Sequence, residues 1–291
     1  MGEWLETYRG MVNPWECDVV QHFTIAYYFD RFADATRNFF DLAGVGDSLD
    51  TGVRHGPSRG HATFQHELRA GAGFHILTAV TNMGAGTLQL GHQVLDSTTN
   101  KPVTWFAETR ALPEGLTPAA RQKLSSLVVA WPGPKAPDDS PPRSAHRPTK
   151  GQLTARDRVK PWEVDEDGTM SLHAHVLRFS AASMQIQAAA GMTATYMHEQ
   201  RRGYSTFNLD LTQIGEAKVG DMIDVTTSIT HLGNSSLRFA HRMTGPNRRE
   251  IAYLVQSGVH LDMDARRSTA IPDELRTAIG KLLNRDEPGR T

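Results

Sequence analysis

Asp18 and His22 stand four residues apart in the stretch ECDVVQHF, residues 16–23. A carboxylate and an imidazole at that separation can divide a proton-transfer task, one taking a proton and the other giving it. Asp18 also precedes an apolar helical pattern, which suits a helix cap, and the two uses are compatible. Glu16 shares a strand face with Asp18. Such a carboxylate pair can raise one of its pKa values toward that of a general base, or both groups can simply be solvated.

A second version of the stretch lies 147 residues on. Pro14, Trp15, Glu16, Asp18, Arg31, Phe32 and Gly44 correspond to Pro161, Trp162, Glu163, Asp165, Arg178, Phe179 and Gly191. The correspondence resumes as RGHATFQHEL (59–68) against RGYSTFNLDL (202–211), GAGTLQLGH (84–92) against GNSSLRFAH (233–241), and ALPEGL (111–116) against AIPDEL (270–275). A period near 150 residues is too long for a solenoid and speaks for two homologous domains. The copies differ where chemistry is at stake: Asp165 is kept, but His22 becomes Thr169 and Gln21 becomes Gly168. The division expected is a first domain over 1–131, a linker over 132–150 rich in proline and charge, and a second domain over 151–291.

The elements that must position these residues follow the same order in each half. Ile25, Tyr28, Phe29, Phe32, Ala35, Phe39 and Ala43 recur at three or four residues, one face of a helix, and Gly44 follows as a stop. Leu172, Val176, Phe179, Ser183, Ile186 and Ala190 mark the second helix, stopped by Gly191. FHILTAV, TLQLGHQVL, MIDVTTSITHL and IAYLVQSGVHL read as strands between turn residues. One long helix with a set of antiparallel strands, written twice, is an α+β arrangement.

That order, with ECDVVQHF at its head, resembles the hotdog fold and its acyl-CoA thioesterases. Asp18, Val19, Gln21 and His22 match the motif in which Asp precedes Gly-His-Val-Asn or, in plant acyl-carrier-protein thioesterases, Val-Asn-Gln-His. The pattern departs at Val20, where the plant enzymes use asparagine, and at Thr24. The second half, with LTQIGEAKVGDMIDVTTSIT and SGVHLDMD, is similar to the thioesterase-like domain fused to some bacterial carnitine dehydrogenases. The resemblance implies two tandem hotdog domains, each an antiparallel sheet wrapped around a long central helix.

It also implies hydrolysis of a small or medium acyl-CoA to free acid and CoA, without metal or redox cofactor. Asp18 is then the base or nucleophile, placed near the free N–H groups of a helix start, and His22 orients water, donates to the carbonyl or protonates the leaving thiolate. Gln65 and Asn208 occupy positions where relatives carry a water-orienting polar group, with satisfaction of backbone groups as the alternative for Gln65. The competent half is the first if His22 matters most, or the second around Asp165 if Gly168 does. A hotdog hydratase or dehydratase and a non-catalytic acyl-CoA-binding protein are the rival readings. Homo-oligomers of such double-hotdog protomers are expected.

Composition narrows the partners. With 31 basic and 32 acidic residues the chain has no long-range field to gather nucleic acid or an anionic membrane. A single cysteine, Cys17, allows no internal disulfide, and the polar start MGEWLETYRG lacks a secretory h-region, so a soluble cytoplasmic protein is expected. Cys17 alternates with Asp18 and is expected to face the core beside Trp15, away from any nucleophilic role. GPSRG (56–60) fits the nucleophile-elbow pattern, but a strand-like run follows it where a helix is required. His173 and His175 fall within the helical pattern, about 200° apart, too divergent to share a metal.

Overall fold

The stripe that starts at Ile25 becomes α1 (Ile25–Leu42), burying Ala26, Tyr28, Phe29, Phe32, Ala35, Thr36, Phe39 and Phe40. Gly44 ends it in the left-handed conformation at φ +68°, its N–H donating to Asp41 O, as a residue without Cβ can do at no steric cost. The computed structural model describes residues 2–46, 59–112, 116–134 and 151–284. Residues 135–150 of the expected linker, and Gly56, Pro57 and Ser58 of GPSRG, lie outside them. Arg59 and Gly60 open a strand, as the residues after the elbow pattern predicted.

Packing partitions the chain into two compact units, Met1–Asp139 with Ser171–His173, and Ser140–Met170 with Ala174–Thr291. In the first unit β1 (Leu5–Met11), β2 (Arg59–Phe64), β3 (Gly73–Met83), β4 (Thr87–Asp96) and β5 (Pro102–Ala111) pair antiparallel in the order β1-β3-β4-β5-β2. Helix α1 packs on β1 and β3, and α2 (Pro118–Ser126) follows the last strand. The second unit repeats the plan with β6 (Gln152–Arg158), α3 (Leu172–Ala189), α4 (Ala194–Gln200), β7 (Arg202–Gln213), β8 (Met222–Leu232), β9 (Ser236–Thr244) and β10 (Glu250–Asp262). Its antiparallel order, β6-β8-β9-β10-β7, is the first unit's order strand for strand. The two-residue β11 (Arg267–Ser268) adds to β10, and α5 (Asp273–Asn284) takes the place of α2.

A polar network is built into each apolar core at matching positions. In the first unit His92 Nδ1 lies 2.9 Å from Thr78 Oγ1, Thr78 meets Thr7 at 2.7 Å, and Thr36 donates to Glu108 at 2.9 Å. Glu108 accepts two bonds from Arg110, at 2.7 and 3.1 Å. In the second unit His241 Nδ1 lies 2.8 Å from Thr227, Thr227 meets Thr154 at 2.7 Å, and Ser183 donates to Gln256 at 2.7 Å. Thr36 and Ser183 interrupt the apolar faces of α1 and α3 because each must meet a histidine and a side-chain acceptor from the sheet.

Candidate active site

The loop bearing Asp18 and His22 is closed by an antiparallel bridge between Cys17 and Phe23. Asp18 N–H donates to His22 O at 3.0 Å and Gln21 N–H to Asp18 O at 2.9 Å. Asp18 Oδ1 accepts from the amides of Val20 and His22, at 3.0 and 3.3 Å. Asp18 therefore caps its own loop. Helix α1 begins seven residues later, with Thr24 at the cap position, so the expectation of Asp18 at the helix start is corrected. The bridge nevertheless folds the two together, since Thr24 N–H donates to Glu16 O at 2.9 Å.

With Oδ1 engaged, Oδ2 faces the imidazole, 3.2 Å from His22 Nδ1. His22 Nε2 is buried without a hydrogen-bond partner among the described residues, and Glu67 Oε1 lies 3.8 Å from it. Glu67 is delivered by the chain after β2: Phe23 N–H donates to Leu68 O at 2.8 Å, tying residues 67–68 to the loop. Tyr28, behind them, is fully buried with a hydrogen bond to the Leu68 main chain, and burial pushes its phenol up. The imidazole thus sits between two carboxylates, each side chain partly exposed, 28% for Asp18 and 29% for Glu67. Val20, where plant relatives place asparagine, is 2% exposed and belongs to the core.

The sequence points to Gln65 on this segment, whereas the residue the structure brings to His22 is Glu67. Strand β2 ends at Phe64, after which the amides of Gln65 and His66 both donate to Val103 O, at 2.9 and 3.2 Å. That irregularity breaks the alternation on which Gln65 was placed. Gln65 Oε1 accepts from Trp105 Nε1 at 3.2 Å, whereas Glu67 reaches His22.

The second unit rebuilds the loop without the imidazole. Val164 and Met170 form the bridge, Asp165 N–H donates to Thr169 O at 2.8 Å, and Gly168 N–H to Asp165 O at 2.9 Å. Asp210 stands at the position of Glu67, and Asn208 lies half-buried on β7, paired with Ser257 beside a bulge at Phe207. The turn residue is left-handed in both loops, at φ +67° for Gln21 and +76° for Gly168, which explains the glycine. Nothing lies within 4 Å of a Cβ placed at Gly168, so Gly168→Ala meets only the backbone cost. It is expected to lower stability by about 1 kcal/mol, read as a drop in the denaturation midpoint.

The repeated Pro-Trp-Glu proves to be an anchor. Each forms a short 3-10 turn, Pro14–Glu16 and Pro161–Glu163. Glu16 accepts from the Asn13 amide at 2.7 Å and pairs with Arg31, while Glu163 accepts from Lys160 at 2.9 Å and from Arg178 at 2.7 Å. A carboxylate 2% exposed needs a countercharge, and Glu16 finds it on α1, so it is committed to Arg31 rather than paired with Asp18. Trp15 and Trp162 point outward, 74% and 79% exposed, against the expectation of a core-facing Trp15. Burial pushes the Cys17 thiol up, which works against its use as a nucleophile. No group of three or more His, Cys, Asp or Glu among the described residues could hold a metal.

The Thioesterase-like superfamily matches residues 12–116 and 159–279, spanning in both copies the loop, the long helix and the strands that follow it. The chain belongs to this superfamily. Among solved structures, it is similar to an acyl-ACP thioesterase from Bacteroides thetaiotaomicron, with a TM-score of 0.64 and 11% identity over 86% of this chain and 96% of that one. It is also similar to the 12:0-ACP thioesterase of Umbellularia californica, at a TM-score of 0.62 and 11% identity over 87% of this chain and 93% of that one. Likeness at these identities is likeness of fold: the hotdog thioesterase fold with two repeated segments. No curated protein matches the sequence significantly. No helix among the described residues is long and apolar enough to cross a membrane.

Proposed function

We propose that this thioesterase-like protein hydrolyses a small or medium acyl-CoA, as two tandem hotdog domains in which the first, over 1–131, carries the chemistry. The observation that carries the reading is His22, oriented by Asp18 at 3.2 Å and left with an unpartnered Nε2. In the sequence of events this supports, His22 Nε2 takes a proton from water as its oxygen adds to the thioester carbonyl. In the first turn of α1, which Thr24 does not cap with its side chain, the amide of Tyr27 donates to Thr24 O, and those of Ile25 and Ala26 serve as donors for the oxyanion. Collapse of the tetrahedral adduct breaks the carbon–sulfur bond, and the thiolate recovers the proton from His22, leaving free acid and thiol. Asp18 stabilises the imidazolium between these steps, and Glu67 adds a second negative charge on its far side.

The two similar structures named for acyl-ACP substrates make the carrier protein the competing thiol. A thiol-release assay over acyl-CoA and acyl-ACP panels, with crotonyl-CoA hydration followed in parallel, tests the reading. Release from CoA esters is expected. Hydration without release moves the protein to the lyases, and saturable binding without turnover makes it an acyl-CoA-binding protein.

A further inference from the structure

An acyl group held with its carbonyl at His22 must place its tail on apolar surface, and the first such surface is aromatic. Phe23, the next residue, packs on Tyr28 with ring centroids 4.5 Å apart, and Tyr28 meets the edge of Phe64 at 5.4 Å. Tyr27 and Phe64 remain partly exposed, so this is where the aromatic interior can be reached from the loop. Further along α1, Tyr28 contacts Phe32 at 6.4 Å, and Phe32 stacks on Phe106 at 4.6 Å. Both Phe32 and Phe106 are fully buried.

Immediately beyond Phe32 the core turns polar. His92 lies 5.4 Å from the Phe32 ring, and its Nε2 is 3.5 Å from Glu108, which is bound by Thr36 and Arg110. The apolar cluster of Phe39, Val80, Leu88, Leu90, Leu112 and Leu124 takes over further along α1, where Phe39 lies about two turns beyond Phe32. A hydrocarbon tail could reach that cluster only by entering a layer of paired buried charges, whose separation would leave an uncompensated ion. The fold does not require charge there, since the second unit fills the same position with Gln256 and Ser183.

We infer that Phe32 and the Thr36–His92–Glu108–Arg110 layer set the acyl specificity of the first unit, admitting short straight acyl groups and stopping long ones. The inference rests on the thioesterase reading above and names its substrate class. From Ile25 to Phe32 the helix rises about 10 Å, which sets the depth available to the tail.

The test is kcat/KM for thiol release across straight-chain CoA esters from acetyl to palmitoyl, for wild type and Phe32→Leu, with thermal melts to show that the variant is folded. Wild type is expected to favour butyryl to octanoyl and to fall about 10- to 100-fold by palmitoyl. Phe32→Leu is expected to raise the lauroyl-to-butyryl ratio about tenfold. A wild-type optimum at lauroyl or beyond overturns the barrier by itself, whatever the variant does. So does an unchanged chain-length profile in folded Phe32→Leu. Absence of release from every ester removes the thioesterase reading and this inference with it, whereas a long-chain optimum removes the inference alone.

Discussion

Asp18→Asn and His22→Ala are each expected to reduce thioester hydrolysis by about 10²- to 10⁴-fold, while Asp165→Asn stays close to wild type. The asymmetry follows from the two loops. Both hold an aspartate under the same backbone bridge, but only the first places an imidazole nitrogen 3.2 Å from the carboxylate. Asparagine at 18 still offers an oxygen to the amides of Val20 and His22, so the loop keeps its shape. What it loses is the negative charge that supports the imidazolium. Removing that charge-assisted acceptor is expected to cost about 1 kcal/mol of stability, small enough for a rate measurement on folded protein. Glu67→Gln separates the two carboxylates: a smaller rate loss than Asp18→Asn is expected, because Glu67 is the more distant, at 3.8 Å. Thiol release that survives Asp18→Asn and disappears in Asp165→Asn would assign the chemistry to the second unit and overturn this account.

What the sequence made legible was local or periodic. The buried face of α1 takes Tyr28, Phe29, Phe32, Ala35 and Phe39 from the spacing that marked it, adds Ala26, Thr36 and Phe40, and leaves Ile25 half-buried, while the glycines after each stripe, Gly44 and Gly191, are left-handed stops. The repeat at 147 residues carries over to hydrogen bonds, as with Asp18 N–H to His22 O and Asp165 N–H to Thr169 O. The illegible part was non-local. That Glu16 answers Arg31 rather than Asp18 depends on the angle at which α1 returns over the 3-10 turn, which spacing alone does not set. Glu67 meets His22 across 45 residues because Phe23 bonds to Leu68 and because the strand loses its alternation after Phe64, an event with no residue signature in TFQHEL. One signal was present: Asp210 stands where Glu67 does, so an acid is kept in both copies while Gln65 becomes Asn208.

The two buried networks show how far one architecture can change its charge. Glu108, fully buried, is pushed up by desolvation and more than compensated by Arg110 and His92, which hold it at about 2. Its counterpart Gln256 needs no such support and instead donates to Thr206 at 2.6 Å. The difference places the acid sensitivity of the two units in different pH ranges. Glu108 contributes stability above its ordinary 4.5 that is lost as pH falls toward 2, so it is silent above about pH 5.

His241 acts in the higher window. Ser183 gives its proton to Gln256, so it can only accept from His241 Nε2–H, and Nδ1 must then accept from Thr227. The chain of donors is complete with a neutral ring, and a second proton on Nδ1 would reverse the Thr227 hydroxyl into an acceptor and place a charge where burial disfavours it. Burial pushes His241 down from 6.5 to about 3. The unfolded chain therefore binds a proton below pH 6.5 that the folded protein refuses, and stability falls with pH by up to about 1.4 kcal/mol per unit until the folded ring titrates. Between pH 6.5 and 4.5 the loss from this one residue is expected to reach about 2 to 3 kcal/mol. His75 and His260, also lowered by burial, add slopes of the same sign, so the residue is isolated by substitution. His241→Gln will be less stable at neutral pH, but its unfolding free energy should fall less steeply with acid than that of the wild type. Chemical denaturation at half-unit steps over this range measures both slopes, and parallel curves would show that His241 is not the neutral member of the network.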